Sequence, residues 1–472
     1  MNRTTQPSLK PAVRLQENTM PSTLQPSLTS HQPTGSASRP LRSLRRHAIV
    51  SAVALLAAGA ASAASYHVRT DGSDSSCNGS ANAAASSAPN CAFQTIGKSA
   101  STAAAGDTVN IQAGTFSGTA SFTKSGTAGA PITFKAAGYA VIRGNVFTSG
   151  NYIVLDGLTI SPPSAGGYGA VTLSGQNNVL KNCLVTNYGA SAGDQATAII
   201  FENSGAYNTV EGCTIRDLND IDAFHVNGHH QTIRNNVVTN LNQVNYSLNH
   251  TDFIQTWGWS GSRSYNILVE GNLVTNSTAQ LGNITTDNIA DQRDWIFRNN
   301  VFANVGAALF SGIPRTLYYN NVFYKVGRAQ GYAVSLYTQQ YYSSVGVELV
   351  NNVFIDNGED VHFQSASLSQ LARFSNNYFA NADFSAKTNG EQLGSGAVNG
   401  GNPAFTSVSG FDFHPLSNSV LINRGADLST LFTTDKDGNT RTGVWDIGAF
   451  EYGASSSGVI TRPAAPLNLI VK

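Results

Sequence analysis

The sequence predicts an all-β chain wound as a right-handed parallel β-helix, with a short helical cap at its amino-terminal end. Three observations carry that expectation: a motif repeated nine times, a column of asparagines inside it, and a composition with few long helix-formers. The copies read VLDGLTI, VLKNCLV, TVEGCTI, TIRNNVV, LVEGNLV, IFRNNVF, LYYNNVF, ELVNNVF and RFSNNYF. Their fifth residues are Leu158, Cys183, Cys213, Asn236, Asn272, Asn300, Asn321, Asn352 and Asn377, at steps of 25, 30, 23, 36, 28, 21, 31 and 25 residues. A strand-bearing repeat of this size cannot bury its apolar face alone and stacks into a solenoid. Coils lie ~4.8 Å apart, so column residues meet and the asparagines can hydrogen-bond along the axis. Charged residues are only 12% of the chain and glycines number 45, which suits strands joined by tight turns.

At the start of the chain, Arg42, Arg45 and Arg46 precede an apolar run from Ala48 to Ala61 that ends in Ala61-Ser62-Ala63. This is the layout of a secretory signal, with cleavage expected after Ala63. The run is short for a membrane span, so the mature chain is expected to be secreted or periplasmic, with no transmembrane segment. Residues 1–63 contain seven of the 28 basic side chains and one of the 28 acidic ones; their removal leaves 21 against 27, a net charge of about −6. No basic stripe marks a nucleic-acid surface, and an anionic ligand would need a local cation. Cysteines fit an oxidising compartment. Cys77 and Cys91 bracket a loop they are expected to close. Cys183 and Cys213 share a column on adjacent coils, near disulfide geometry; a stacked free pair is the alternative.

Residues 64–145 read as amino-terminal cap and first coils, with a short helix from the Phe93-Gln94-Thr95-Ile96 stretch covering the open end of the stack. Residues 146–401 carry the regular coils, 402–453 a closing segment and 454–472 a flexible tail. Gly106-Asp107-Thr108-Val109, the Gly114-Thr115-Phe116 turn and the stretch APITFKA from Ala130 occur in that order. They resemble the opening of secreted right-handed β-helix proteins, including polysaccharide lyases of the pectate, alginate and chondroitinase type. Asn402-Pro403-Ala404-Phe405, Asp412-Phe413-His414-Pro415 and the segment Asp446-Ile447-Gly448-Ala449-Phe450-Glu451-Tyr452 resemble the closing region of bacterial choice-of-anchor proteins.

One strand precedes each asparagine column by 12 to 18 residues. Aligned on their shared pattern, these strands point Val171, Phe201, Phe224, Ile254, Ile284, Ala308, Val334 and Val361 inward. Thr172, Glu202, His225, Gln255, Thr285, Leu309, Ser335 and His362 then point outward, so Glu202, His225, Gln255 and Thr285 are expected as neighbours on consecutive coils. The flanking turns hold the densest ionisable cluster of the chain: Asp220, Asp222, His229 and His230 around His225; His250, Asp252, Trp257 and Trp259 around Gln255; Asp287, Asp291, Arg293 and Asp294 after Thr285. Irregular insertions on one solenoid face usually carry function, and the tryptophans offer plates on which sugar rings stack.

The resemblance implies an acidic polysaccharide as substrate, cut by β-elimination. That reaction needs a base near C5 of a uronate and donors or a cation to neutralise its carboxylate. Lyases of this kind often use a Lys or Arg base with Ca²⁺. Here Lys181 and Lys325 lie outside the cluster, so His225 or His250 is the expected base, helped by Asp252 and Asp222. Gln255, Trp257, Trp259, His229, Arg293 and Glu202 are the expected substrate contacts. Asp220, Asp222 and Asp252 are candidate Ca²⁺ ligands, an oxygen-seeking ion. The alternative is a glycoside hydrolase built on paired carboxylates such as Asp222 and Asp252; Asn249-His250-Thr251-Asp252 and Gly228-His229 resemble elements of polygalacturonase-like enzymes. A third reading is a polysaccharide-binding surface without catalysis. A monomer is expected.

Overall fold

The computed structural model describes residues 62–163, 169–188, 196–245, 250–256, 261–285, 291–327, 331–338, 342–380 and 393–454. The leader therefore falls almost wholly outside the described residues, as do Trp257, Trp259 and Asp287. Among the described residues no helix is long and apolar enough to cross a membrane.

The repeated strands form one continuous network of parallel pairings, as expected of a parallel β-helix. It has three faces. The first runs through Ile153–Asp156, Val179–Lys181, Thr209–Glu211, Thr232–Arg234 and Ser264–Glu270. The second follows the asparagine column, through Leu184–Thr186, Thr214–Asn219, Val237–Asn242 and the start of Leu273–Ile284. The third includes Val171–Leu173, Thr197–Phe201, Asp222–Val226 and Asp252–Thr256, and continues into the end of Leu273–Ile284.

The expected column closes the corner between the first two faces. Each backbone N–H is taken by the amide oxygen one coil ahead: Asn236 to Asn272 at 3.0 Å, Asn272 to Asn300 at 2.9 Å, Asn300 to Asn321 at 3.0 Å, Asn321 to Asn352 at 3.1 Å and Asn352 to Asn377 at 2.9 Å. The amide N–H groups also reach back to strand carbonyls, as Asn300 does to Val269 at 2.9 Å. Dry turns are thereby satisfied without water, as buried polar backbone requires. Cys183 and Cys213 begin this ladder as free buried thiols, not a disulfide, and Cys183 N–H donates to Cys213 Sγ at 3.3 Å. The Cys77–Cys91 disulfide is present.

The core is a stack of apolar columns. Phe302, Phe323, Phe354 and Phe379 run up one of them with ring centroids 5.0 to 5.3 Å apart. The short helix Ile96–Thr102 starts at Thr95, whose side chain accepts Lys98 N–H, and it contributes Ile96 and Ala100 to the amino-terminal core. At the other end, Phe413, Leu421, Ile447, Ala449 and Phe450 pack on outward residues of the second face, among them Val301, Val322 and Val353. The corner amide of Asn320 donates to Asp446 and Gly448 carbonyls at 3.1 and 2.9 Å. Residues 402–453 thus cover the carboxy-terminal half of that face.

Candidate functional site

Strands Asp222–Val226 and Asp252–Thr256 lie on adjacent coils with Phe224 opposite Ile254 and His225 opposite Gln255. Phe224 and Ile254 belong to the core, so alternation turns His225 and Gln255 to the outer side of the third face. The next coil sets Asn283 opposite Gln255. The preceding coil sets Ile200 opposite His225. The expected row is therefore corrected at three places. Glu202 lies two residues beyond Ile200, past the end of its strand, because that coil's turn is longer before Gly205 than the matching turn before Gly228. Thr285 is likewise two residues past Asn283. Farther up, Phe310 and not Leu309 continues the outer row, since Leu309 pairs with Gly282 on the core side. A side chain at Gly282 would meet Ile254 O and Leu309 Cδ1 at 2.7 Å, so only glycine fits that inward position.

His225 is almost enclosed, and burial lowers its pKa to about 4. It is a neutral imidazole at ordinary pH, and Asn227 Nδ2 approaches its Nε2 at 3.4 Å. Gln255 is 6% exposed beside it.

The second group stands at the entry of the same strands, three residues or roughly 10 Å back along each. His250 Nδ1 is 2.7 Å from Asp252 Oδ2, with the histidine side chain 49% exposed and the aspartate side chain sealed. Asp222 Oδ1 accepts Asp252 N–H at 2.8 Å, so it caps the strand start on the coil above. Burial pushes both carboxyls above the ordinary range, and the Asp252 charge adds to the rise at Asp222. Their proximity favours one proton on the pair. The bond to Asp252 raises the His250 pKa. Asp252 Oδ1 has no hydrogen-bond partner among the described residues.

The turn that carries His250 is pinned from below. Asp220 Oδ1 accepts Val244 N–H at 2.7 Å, Asn245 N–H at 2.9 Å and Gln243 Nε2–H at 3.2 Å. Gln243 Oε1 in turn accepts Thr251 N–H at 2.6 Å. Gln243 carries no periodic signal in sequence, and only the folded turn reveals it. The Asp220 contacts are those of a positioning residue.

His229 and Arg293 lie elsewhere. They begin strands of the first face, in one register column with Tyr265 between them, beyond the turn that follows the third face. His250 precedes its third-face strand and His229 follows the neighbouring one, so His229 and Arg293 stand at the opposite end of these strands from His250.

For a bound cation, the described residues supply two neighbouring carboxylates, Asp222 and Asp252, one of them with an orphaned oxygen. A calcium ion takes six to eight oxygens, and no group of three His, Cys, Asp or Glu side chains with metal-site geometry occurs among the described residues. Among the described residues this donor set falls short of a calcium site, and no chemical step below runs through a metal.

Fold and site together define a parallel β-helix with a polar strip on one face. No protein-family model matches the chain, and no curated protein matches it in sequence. Solved structures do resemble it. A pectate lyase, Pel9A, superposes with a TM-score of 0.56 at 18% identity, over 83% of this chain and 97% of that one. XylC in complex with xylose gives 0.50 at 11% identity, over 82% and 98%. An alginate lyase from Paenibacillus sp. str. FPU-7 gives 0.44 at 17% identity, over 65% and 95%. The shared property at these identities is the fold.

Proposed function

We propose that this chain is an exported polysaccharide lyase that cleaves a uronate-containing polymer by β-elimination, with His250 as the base. The observation that carries the reading is the His250–Asp252 pair: a half-exposed imidazole held through Nδ1 by a sealed carboxylate. Such a partner fixes the tautomer and orientation of the ring and leaves Nε2 to face a substrate. In the reaction, His250 Nε2 takes the C5 proton, the C4–O bond breaks, a C4–C5 double bond forms, and the departing oxygen takes a proton from water.

Burial of the carboxylates favours this reading over the hydrolase. A retaining or inverting pair must reach the sugar from both sides, whereas Asp252 is 0% exposed and Asp222 8%. The likeness in fold to the pectate lyase Pel9A supports the polymer class. The test is a panel of pectate, alginate and chondroitin polymers, each with and without chelator, followed by ultraviolet absorbance of the unsaturated product. Absorbance that rises with wild type on at least one uronate polymer and is lost in His250→Ala is expected. New reducing ends without absorbance would replace elimination by hydrolysis, and loss of all activity with chelator would return a metal ion to the mechanism.

A further inference from the structure

The corner that separates the third face from the first carries a ridge outside the site described above. On five consecutive coils it presents Tyr207, then His229 and His230, then Arg263 and Tyr265, then Arg293, then Arg315. The strand register sets His229, Tyr265 and Arg293 side by side. His229 and Tyr265 stack at 5.0 Å with rings 12° apart, and the Arg293 guanidinium lies 4.7 Å from the centre of the Tyr265 ring. Tyr207 stacks on His230 at 4.6 Å and is 49% exposed. His230 Nε2 meets Asn266 Nδ2 at 3.0 Å, and the two histidines touch through Nδ1 at 2.9 Å.

Charge on this ridge is lopsided. Arg293 and Arg315 both bind one carboxylate, Asp294, through contacts of 2.6 to 2.9 Å. Arg263 is exposed on the coil below, and its charge helps depress the His229 pKa behind burial and His230. Three guanidiniums thus share the ridge with Asp294 and with Asp291, which stands beside Arg263 through the Ser264–Gln292 register, an excess of one positive charge on a mature chain of net charge about −6. Five coils at ~4.8 Å span roughly 19 Å, and flat rings alternate with guanidiniums along that length. Aromatic faces suit sugar rings, and guanidiniums suit carboxylate or sulfate in bidentate geometry.

We infer that this ridge is a second binding surface for an anionic polysaccharide, which holds the polymer on the enzyme apart from the His250 site. The inference concerns binding alone and stands whether or not the lyase reading holds.

Affinity electrophoresis tests it, through gels cast with polygalacturonate, alginate, dextran sulfate or unsubstituted dextran. The wild type is expected to be retarded by at least one anionic polymer and not by dextran. The double variant Arg263→Ser/Arg315→Ser, with an unchanged thermal midpoint, is expected to lose about tenfold or more of that affinity at low salt. Retardation by polygalacturonate and alginate alone assigns the ridge to uronates; retardation by dextran sulfate as well assigns it to any polyanion. Turnover of short oligouronides by the double variant is expected to match wild type. Equal retardation of wild type and double variant, or equal retardation in dextran, would overturn the inference. Should no polymer be cleaved while the ridge variants still lose retardation, the lyase reading fails and the ridge stands.

Discussion

Replacing Asp252 with Asn separates the orientation of His250 from its presence. The bond from His250 Nδ1 to Asp252 Oδ2 is 2.7 Å long and charge-assisted, a class that contributes about 1.5–3 kcal/mol. His250 is half exposed, and solvent screening argues for the lower end of that range. At about 1.4 kcal/mol per factor of ten, the expected loss in kcat/KM is roughly 10- to 30-fold. Deletion of the base in His250→Ala should cost about 10²–10⁴-fold. The pH profile gives an independent sign. His250 works deprotonated, and its carboxylate partner raises its pKa, so wild-type activity rises with pH above the usual histidine range. Without the carboxylate the imidazole loses its proton earlier, and the acidic limb of Asp252→Asn moves to lower pH. Steady-state rates across pH on the polymer that wild type cleaves measure both effects. Rates within twofold of wild type, with the limb unmoved, would remove Asp252 from the chemistry.

Three other outcomes follow from packing and charge. Asn300→Ala takes the acceptor from the buried Asn272 N–H (2.9 Å) and the donors to Val269 O and Asn321 Oδ1 (both 2.9 Å); urea unfolding should register about 2–4 kcal/mol, against under about 0.5 kcal/mol for Asn242→Ala, which loses one exposed bond to Asn219. His414 sits between Asp412 and Asp437, which raise its pKa to about 9. The stabilisation is full below the unfolded value near ~6.5 and disappears as pH rises through about 9, so His414→Gln should flatten the fall of thermal midpoint across that window. Cys183 and Cys213 should react with a thiol reagent only after denaturation, both at once, because both are buried and free.

Legibility in the sequence tracked how rigidly each position is bound to the repeat. The asparagine column was readable because one residue per coil must satisfy the same orphaned backbone groups, and that need recurs whatever the turns do. The outer row was readable only where strand phase is set locally. His225 opposite Gln255, and Ser335 opposite His362, agree with the pairing, but Glu202 and Thr285 were misplaced by two residues and Leu309 by one. Glycine ends a turn without fixing how many residues precede it, and a one-residue error exchanges the faces of a strand. An irregularity between Ser277 and Gln280 displaces the register on one such coil. The His250–Asp252–Asp222 group was found by clustering in sequence. Gln243 was not, since its role is a single turn contact with no period. His229 and Arg293 fall in or just past the flanking turns, as their sequence positions indicate, but sequence does not show that a tight turn at Asn227 and Gly228 starts a new sheet two residues after the old one ends.

The mass of the cleavage products tests the central claim most directly. Wild type on its uronate polymer should release fragments whose new nonreducing ends carry an unsaturated sugar, one water lighter than hydrolysis would leave, and His250→Ala should release almost none while keeping the wild-type thermal midpoint. Fragments that have gained water, or a His250→Ala variant that cuts as fast as wild type, would contradict elimination from this corner of the β-helix.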